Sequence, residues 1–200
     1  LGGTLEGIAD EKAGIFKAGR PAVVGERDPA LRAHLARRAR EAGASPIHVV
    51  ADEGDISALS VSGAGTHFTL ERAGHAPLEL RTPLVGRFQA ENAAVAIAML
   101  DAAGPEYALP DEAIPAALAR VRLPGRFQRH GNIVLDVAHN PDGASVLAST
   151  LDAVDAARPR IAFITVLADK DWRGMMEVLA PSIDEFVLTE APTAPAGRAW

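Results

Sequence analysis

The sequence predicts an α/β fold in two parts, and three observations predict it. A strand–helix–strand pattern occupies residues 22–50, period-two alternation fills residues 56–84, and two further strand–helix–strand steps run over residues 132–190. Alternating strands and helices call for parallel sheets, because parallel neighbours need a crossover long enough to hold a helix. The 48% hydrophobic content supplies side chains for packed cores, and the 4% aromatic content makes those cores aliphatic.

In chain order, residues 5–16 read as a helix that Gly19 and Pro21 close, and residues 22–24 as a short buried strand. "DPALRAHLARRAREAG" follows as a helix. Asp28 caps it, Pro29 suits the first turn, Leu31, Leu35 and Ala39 share a face, and Gly43 stops it. Its basic stretch "RRAREAG" (37–43) reads as a solvated stripe rather than a binding patch. "PIHVV" (46–50) is the second strand. "ISALSVS", "THFTLE" and "LELRTPL" then alternate between "GAG" and "AGHAP" turns, the pattern of an antiparallel meander. "FQAENAAVAIAMLDAAG" is a helix whose small residues allow close packing, and "PDEAIPAALARV" a further helix with Pro115 near its first turn.

"RLPGR" (122–126) places Pro-Gly between a helix and a new unit, so a boundary is expected there, with domains at 1–122 and 123–200. The second unit reads strand 132–137, helix 142–157, strand 161–167, helix 172–180, strand 185–190, a doubly wound sheet of Rossmann type. Bulk properties narrow the function. A net charge of −6 gives no basic field for nucleic acid or anionic lipid. The absence of cysteine removes disulfides, a thiolate nucleophile and Cys-ligated zinc. No apolar run approaches the ~18 residues of a membrane span, and no signal peptide is visible, so the cytoplasm is expected. The chain opens on leucine in mid-pattern and reads as a fragment.

Polar clusters gather at the carboxyl ends of the second unit's strands, where open parallel sheets hold ligands: "DVAHN" (136–140), "ADKDW" (168–172) and "TEAPT" (189–193). Asn140 or Asp142 is explained by helix capping. Asp136, placed after Val134 and Leu135 at what reads as a buried strand end, needs donors around it. Arg87 and Arg126 each follow glycine. Arg126, on a Pro-Gly turn, suits a phosphate with its planar fork, or else pairs with a surface carboxylate. Asn92 presents its amide to a base edge or serves the first turn of its helix. Lys12 is an exposed helical lysine unless metal or phosphate lies beside it. No G-x-x-x-x-G-K-[ST] loop occurs, so no nucleotide site is complete in these 200 residues.

"LGGTLEGIADEKAGIFKAGRPAVVGE", "RFQAENAAVA", "LPGRFQ", "VLDVAHNPDG" and "VLADKDW" stand in an order and spacing that resembles the folylpolyglutamate synthase/dihydrofolate synthase family, the folate branch of the ATP-dependent Mur ligase superfamily. The resemblance spans nearly the whole chain, and the bacterial bifunctional form is the most similar. It implies the second half of a central nucleotide-binding domain followed by a Rossmann-like C-terminal domain that stops short at Trp200. It also implies ATP and Mg²⁺ as cofactors, L-glutamate and dihydropteroate or a reduced folate as substrates, and a monomer that touches neither nucleic acid nor membrane. The implied reaction is amide ligation through an acyl phosphate.

By that resemblance Asn92 contacts the adenine side of ATP, Arg126 reaches the phosphates on domain closure, Asp136 is a nucleotide ligand, and His139 takes part in ATP binding and turnover. Lys12 matches a lysine that is carbamylated in related ligases and so acts on a metal indirectly. Lys170, Asp171 and Arg198 are weaker matches to glutamate-binding positions. The phosphate loop, the direct metal ligands and the pterin segment are expected upstream of residue 1, which predicts that this chain alone is inactive. Two alternatives remain: a cell-wall Mur ligase acting on UDP-linked substrates, and a non-catalytic Rossmann-like binding module. "EKAGIFK" and "LPGRFQ" argue against the cell-wall reading.

Overall fold

The computed structural model describes residues 4–190, which fall into two units. The first comprises residues 4–60, His67–Thr82 and Gln89–Arg120; the second comprises Val61–Thr66, Pro83–Phe88 and residues 121–190. The second unit thus takes two segments from the first half of the sequence. The cause is packing: Val61 and Val85 share a core with Phe127 and Leu151.

In the first unit, α1 (Leu5–Ala13) is capped by Thr4, whose hydroxyl accepts the Gly7 N–H at 3.1 Å. It is shorter than expected because the chain turns at Gly14. β1 (Ala22–Val24) pairs in parallel with β2 (Ile47–Val49) across α2 (Pro29–Glu41), as the pattern demanded. Asp28 caps α2 through the Leu31 N–H at 2.9 Å. A single turn, α3 (Val50–Glu53), leads into β3 (Gly54–Ser62), β4 (Gly65–Arg72) and β5 (Leu78–Thr82), a three-stranded sheet in chain order. The two residues between β3 and β4 suffice only for an antiparallel step.

α4 (Arg87–Ala103) lays Ala90, Ala93, Ala94 and Ile97 against Phe68, Leu70 and Leu80. Its small residues permit close approach. A Cβ on Gly25 would lie 2.3 Å from Cγ2 of Val95 on this helix. The predicted helix over 110–121 shrinks to α5 (Ile114–Leu118), which Pro115 starts.

The second unit departs further from expectation. β6 (Gln128–His130) and β7 (Ile133–Leu135) form an antiparallel hairpin, and β7 does not join the parallel pair formed by β8 (Ile161–Ile164) and β9 (Glu185–Leu188). β7 has only three residues and half-exposed Ile133 and Leu135, so it is not the buried central strand its apolar run suggested. α6 (Pro141–Ala153) and α7 (Trp172–Leu179) enclose Ala144, Val166, Met175 and Leu179 on one face of the β8–β9 pair. The other face leaves Ile161 and Phe163 exposed.

Electrostatic clasps close this unit. Arg160 donates from Nη2 to the Ala156 carbonyl at 2.6 Å and from Nη1 to Asp152 at 2.8 Å, while the Ser182 hydroxyl donates to Asp152 at 3.1 Å. Asp184 accepts the Arg160 N–H at 2.6 Å and pairs with Arg158. The Arg160 contacts, with Ser182 beside Asp152 and Arg158 beside Asp184, hold both carboxyls below the ordinary carboxylate range. A lowered folded pKa contributes stability above the unfolded value of about 4 and loses it as pH falls through the folded value. The thermal midpoint is therefore expected to stay level from neutral pH to about pH 5 and drop below about pH 4. Asp184→Asn should lower it at neutral pH and flatten that drop; an acid profile identical to the parent would refute the clasp.

Candidate functional site

The turn carrying Arg126 and the loop after β7 are locked together. Gly125 has φ +72°, and Phe127 holds the left-handed conformation at φ +47°, rare for an aromatic residue. Phe127 is buried among Val85, Leu151 and Val134, which over-determines that strained backbone. Asp136 supplies the rest: Oδ2 accepts the Phe127 N–H at 2.9 Å and Oδ1 accepts the Ala138 N–H at 2.8 Å. The Val137 N–H donates to the Gly125 carbonyl at 2.9 Å, and Gln128 Oε1 accepts the Gly125 N–H at 3.0 Å. Asp136 does have donors around it, but at an exposed position rather than a buried strand end. Its carboxylate staples the loop to the turn.

Arg126 stands on that turn, exposed, and among the described residues no carboxylate pairs with it. His139 lies three residues beyond Asp136, its Nδ1 3.1 Å from the Val137 carbonyl. A carbonyl only accepts, so Nδ1 carries the hydrogen, and in the neutral ring Nε2 is the accepting nitrogen. Asn140 is the α6 cap, accepting the Gly143 N–H at 2.7 Å.

Asp171 caps α7 in the same way, accepting the Gly174 N–H at 3.0 Å. A Cβ on Gly174 would come within 3.0 Å of Pro141, so the starts of α6 and α7 abut and the "DVAHN" and "ADKDW" clusters share one rim. Lys170 is partly buried there. Arg173 lies over the Trp172 ring at 4.1 Å. Arg198 falls outside the described residues.

Asn92 and Lys12 belong to the first unit. Asn92 sits in the second turn of α4 rather than the first, exposed, and donates weakly to Gln89 Oε1 at 3.4 Å. Gln89 is buried with Nε2 lacking a partner, a feature the sequence reading missed. Lys12 is exposed on α1, while its neighbour Asp10 is held by His34 at 2.8 Å and Arg38 at 3.0 Å. Among the described residues no group of three or more His, Asp or Glu could hold a metal ion, so this donor set does not fit direct Mg²⁺ ligation. Nor is any of the described helices long and apolar enough to cross a membrane.

The Mur ligase middle domain family matches residues 1–100, and the family described as Mur ligase, glutamate ligase domain matches residues 125–199. The dihydrofolate synthase/folylpolyglutamate synthase of Mycobacterium tuberculosis is 34% identical over 94% of this chain, and that of Escherichia coli 36% over 93%. The chain spans less than half the length of these relatives, 41% and 42%. Among solved structures, Mycobacterium tuberculosis folylpolyglutamate synthase complexed with ADP superimposes with a TM-score of 0.85 at 31% identity, covering 100% of this chain and 45% of that one. An FPGS–AMPPCP–folate complex gives 0.83 at 32%, covering 96% and 48%.

Proposed function

Since the chain belongs to the Mur ligase family, with stretches of both its middle and its glutamate ligase domain, we propose that it works within an ATP-dependent ligase that joins L-glutamate to dihydropteroate, a reduced folate, or both. The observation that carries this reading is the Arg126 turn, a guanidinium held out by Gly125, Phe127 and Asp136 with no carboxylate partner among the described residues. Relatives that bear the folate ligase name, and solved neighbours in complex with ADP or with AMPPCP and folate, support it.

The chemistry proceeds in two steps. A substrate carboxylate oxygen attacks the γ-phosphorus of ATP and ADP leaves. The glutamate amine then attacks the acyl carbon, phosphate departs, and the amine loses a proton. Both steps need in-line positioning and neutralised phosphate charge. Arg126 supplies a bidentate donor to phosphate oxygens. Asp136 fixes that donor's turn and keeps outer lone pairs for a nucleotide hydroxyl. Asn92 offers its amide to the adenine edge, and His139 offers Nε2 to a donor at the same rim. Lys170 and Asp171 border the incoming amino acid, with Asp171 also serving as a helix cap.

The test joins this chain to the part of the Mycobacterium tuberculosis relative that it does not span and follows ATP-dependent glutamate addition by product mass. Dihydropteroate or tetrahydrofolate should be extended, and a UDP-linked cell-wall precursor should not; the reverse would favour the cell-wall reading. The 200-residue chain alone should show no turnover, since it lacks a phosphate loop. Lys12→Ala in the joined polypeptide should lose most activity and regain part of it with added short carboxylic acids, which replace a carbamate. Failure of rescue at every concentration would remove the carbamate role.

A further inference from the structure

A shallow cleft of about 280 Å³ lies wholly within the second unit, between Gly63, the 83–85 segment and the 121–129 stretch. Arg122, Arg126 and Arg129 line it, and none of its lining residues is acidic. The sequence has the same bias: between Glu112 and Asp136 it has four arginines and no carboxylate, in a chain of net charge −6. Three guanidinium groups bordering one space favour an anion there.

One of them is placed by the backbone. Arg129 Nη1 approaches the Gly63 carbonyl at 3.5 Å, and a Cβ on residue 63 would fall 2.1 Å from that nitrogen, so a side chain there would push this guanidinium aside. Much of the remaining wall is apolar, with Leu84, Val85, Leu123 and Pro124. Cations beside an apolar wall suit carboxylates carried on methylene stems. Bare phosphate gains nothing from such a wall and loses hydration against it. The space falls just below the roughly 300–1,000 Å³ of sites that enclose a whole small ligand, and so suits a short tail.

We propose that this cleft is a carboxylate subsite for the γ-glutamyl tail of a substrate or product, with Arg122 and Arg129 as its anchors. The proposal rests on the ligase reading, which supplies a tail with one α-carboxylate and two methylenes per residue. Arg126 borders the same cleft and marks where the tail and phosphate sites adjoin.

Calorimetric titration of the 200-residue chain with tri-γ-L-glutamate, with tripolyphosphate as the competing anion, tests it. Tri-γ-glutamate should bind saturably at low salt, and Arg122→Gln and Arg129→Gln should each weaken it about tenfold. Gly63→Ala, which changes no charge, should weaken it severalfold by displacing the Arg129 head. Arg81→Gln, an equal charge change at an exposed position on β5, should leave it unaltered. Absence of saturable binding, an equal loss in Arg81→Gln, or binding of tripolyphosphate alone would each overturn the assignment. Binding is read without turnover. A failure here therefore leaves the ligase reading standing, and failed ligation with intact tail binding would remove that reading alone.

Discussion

Gly125→Ala is expected to destabilise the second unit by about 3 kcal/mol, summing left-handed backbone strain and overpacking. Residue 125 sits at φ +72°, where a Cβ collides with the following carbonyl, and that Cβ would lie 2.6 Å from Cγ1 of Val137. Relief is blocked on both sides. The Gly125 carbonyl is tied to the Val137 N–H and its own N–H to Gln128, while Phe127 is anchored in the core. The turn must therefore either carry the strain or release Asp136, which would leave the buried Phe127 N–H without its acceptor, a further penalty of about 1–3 kcal/mol. The thermal midpoint should fall by more than about 10 °C for a unit of this size. Adding Val137→Ala should recover the collision part and leave the strain part, so the pair should be non-additive. A Gly125→Ala chain that melts with the parent would mean the turn is not held as described.

What the sequence disclosed follows from the range of the interactions. The parallel β1–α2–β2 unit, the meander and the rim that gathers "DVAHN" with "ADKDW" were legible because each rests on local periodicity plus one rule about strand ends. The β6–β7 hairpin was overlooked although Gly131–Asn132, two residues between short runs, is a hairpin signal. "QRH" has no apolar residue to mark it as a strand, and "IVL" mimics a buried one. The role of Asp136 was hidden for a different reason. Its partner is a backbone N–H nine residues earlier, on a phenylalanine whose positive φ no propensity anticipates. The arginine-lined cleft had a sequence signal, the stretch from residue 113 to 135 without a carboxylate, but only the fold brings Gly63 beside Arg129.

Arg126→Ala, in the polypeptide competent for ligation, should lower kcat by about 10²- to 10³-fold, the range for a donor that meets transition-state charge. The KM for ATP should change by less than about threefold, the signature of a contact made after binding. The side chain is exposed and contributes nothing to the locks on its own turn, which run through Gly125, Phe127 and Asp136. Its removal should therefore leave the thermal midpoint unmoved, and the kinetic loss then reports chemistry rather than folding. Arg126→Lys separates charge from geometry: an ammonium keeps the charge but not the two-pronged fork, so only part of the rate should return. Asp136→Ala provides the contrast, because freeing the turn should lower both melting temperature and rate. Equal losses in kcat and ATP affinity for Arg126→Ala would place its contact in the ground state and end the case for a phosphate donor that engages on closure.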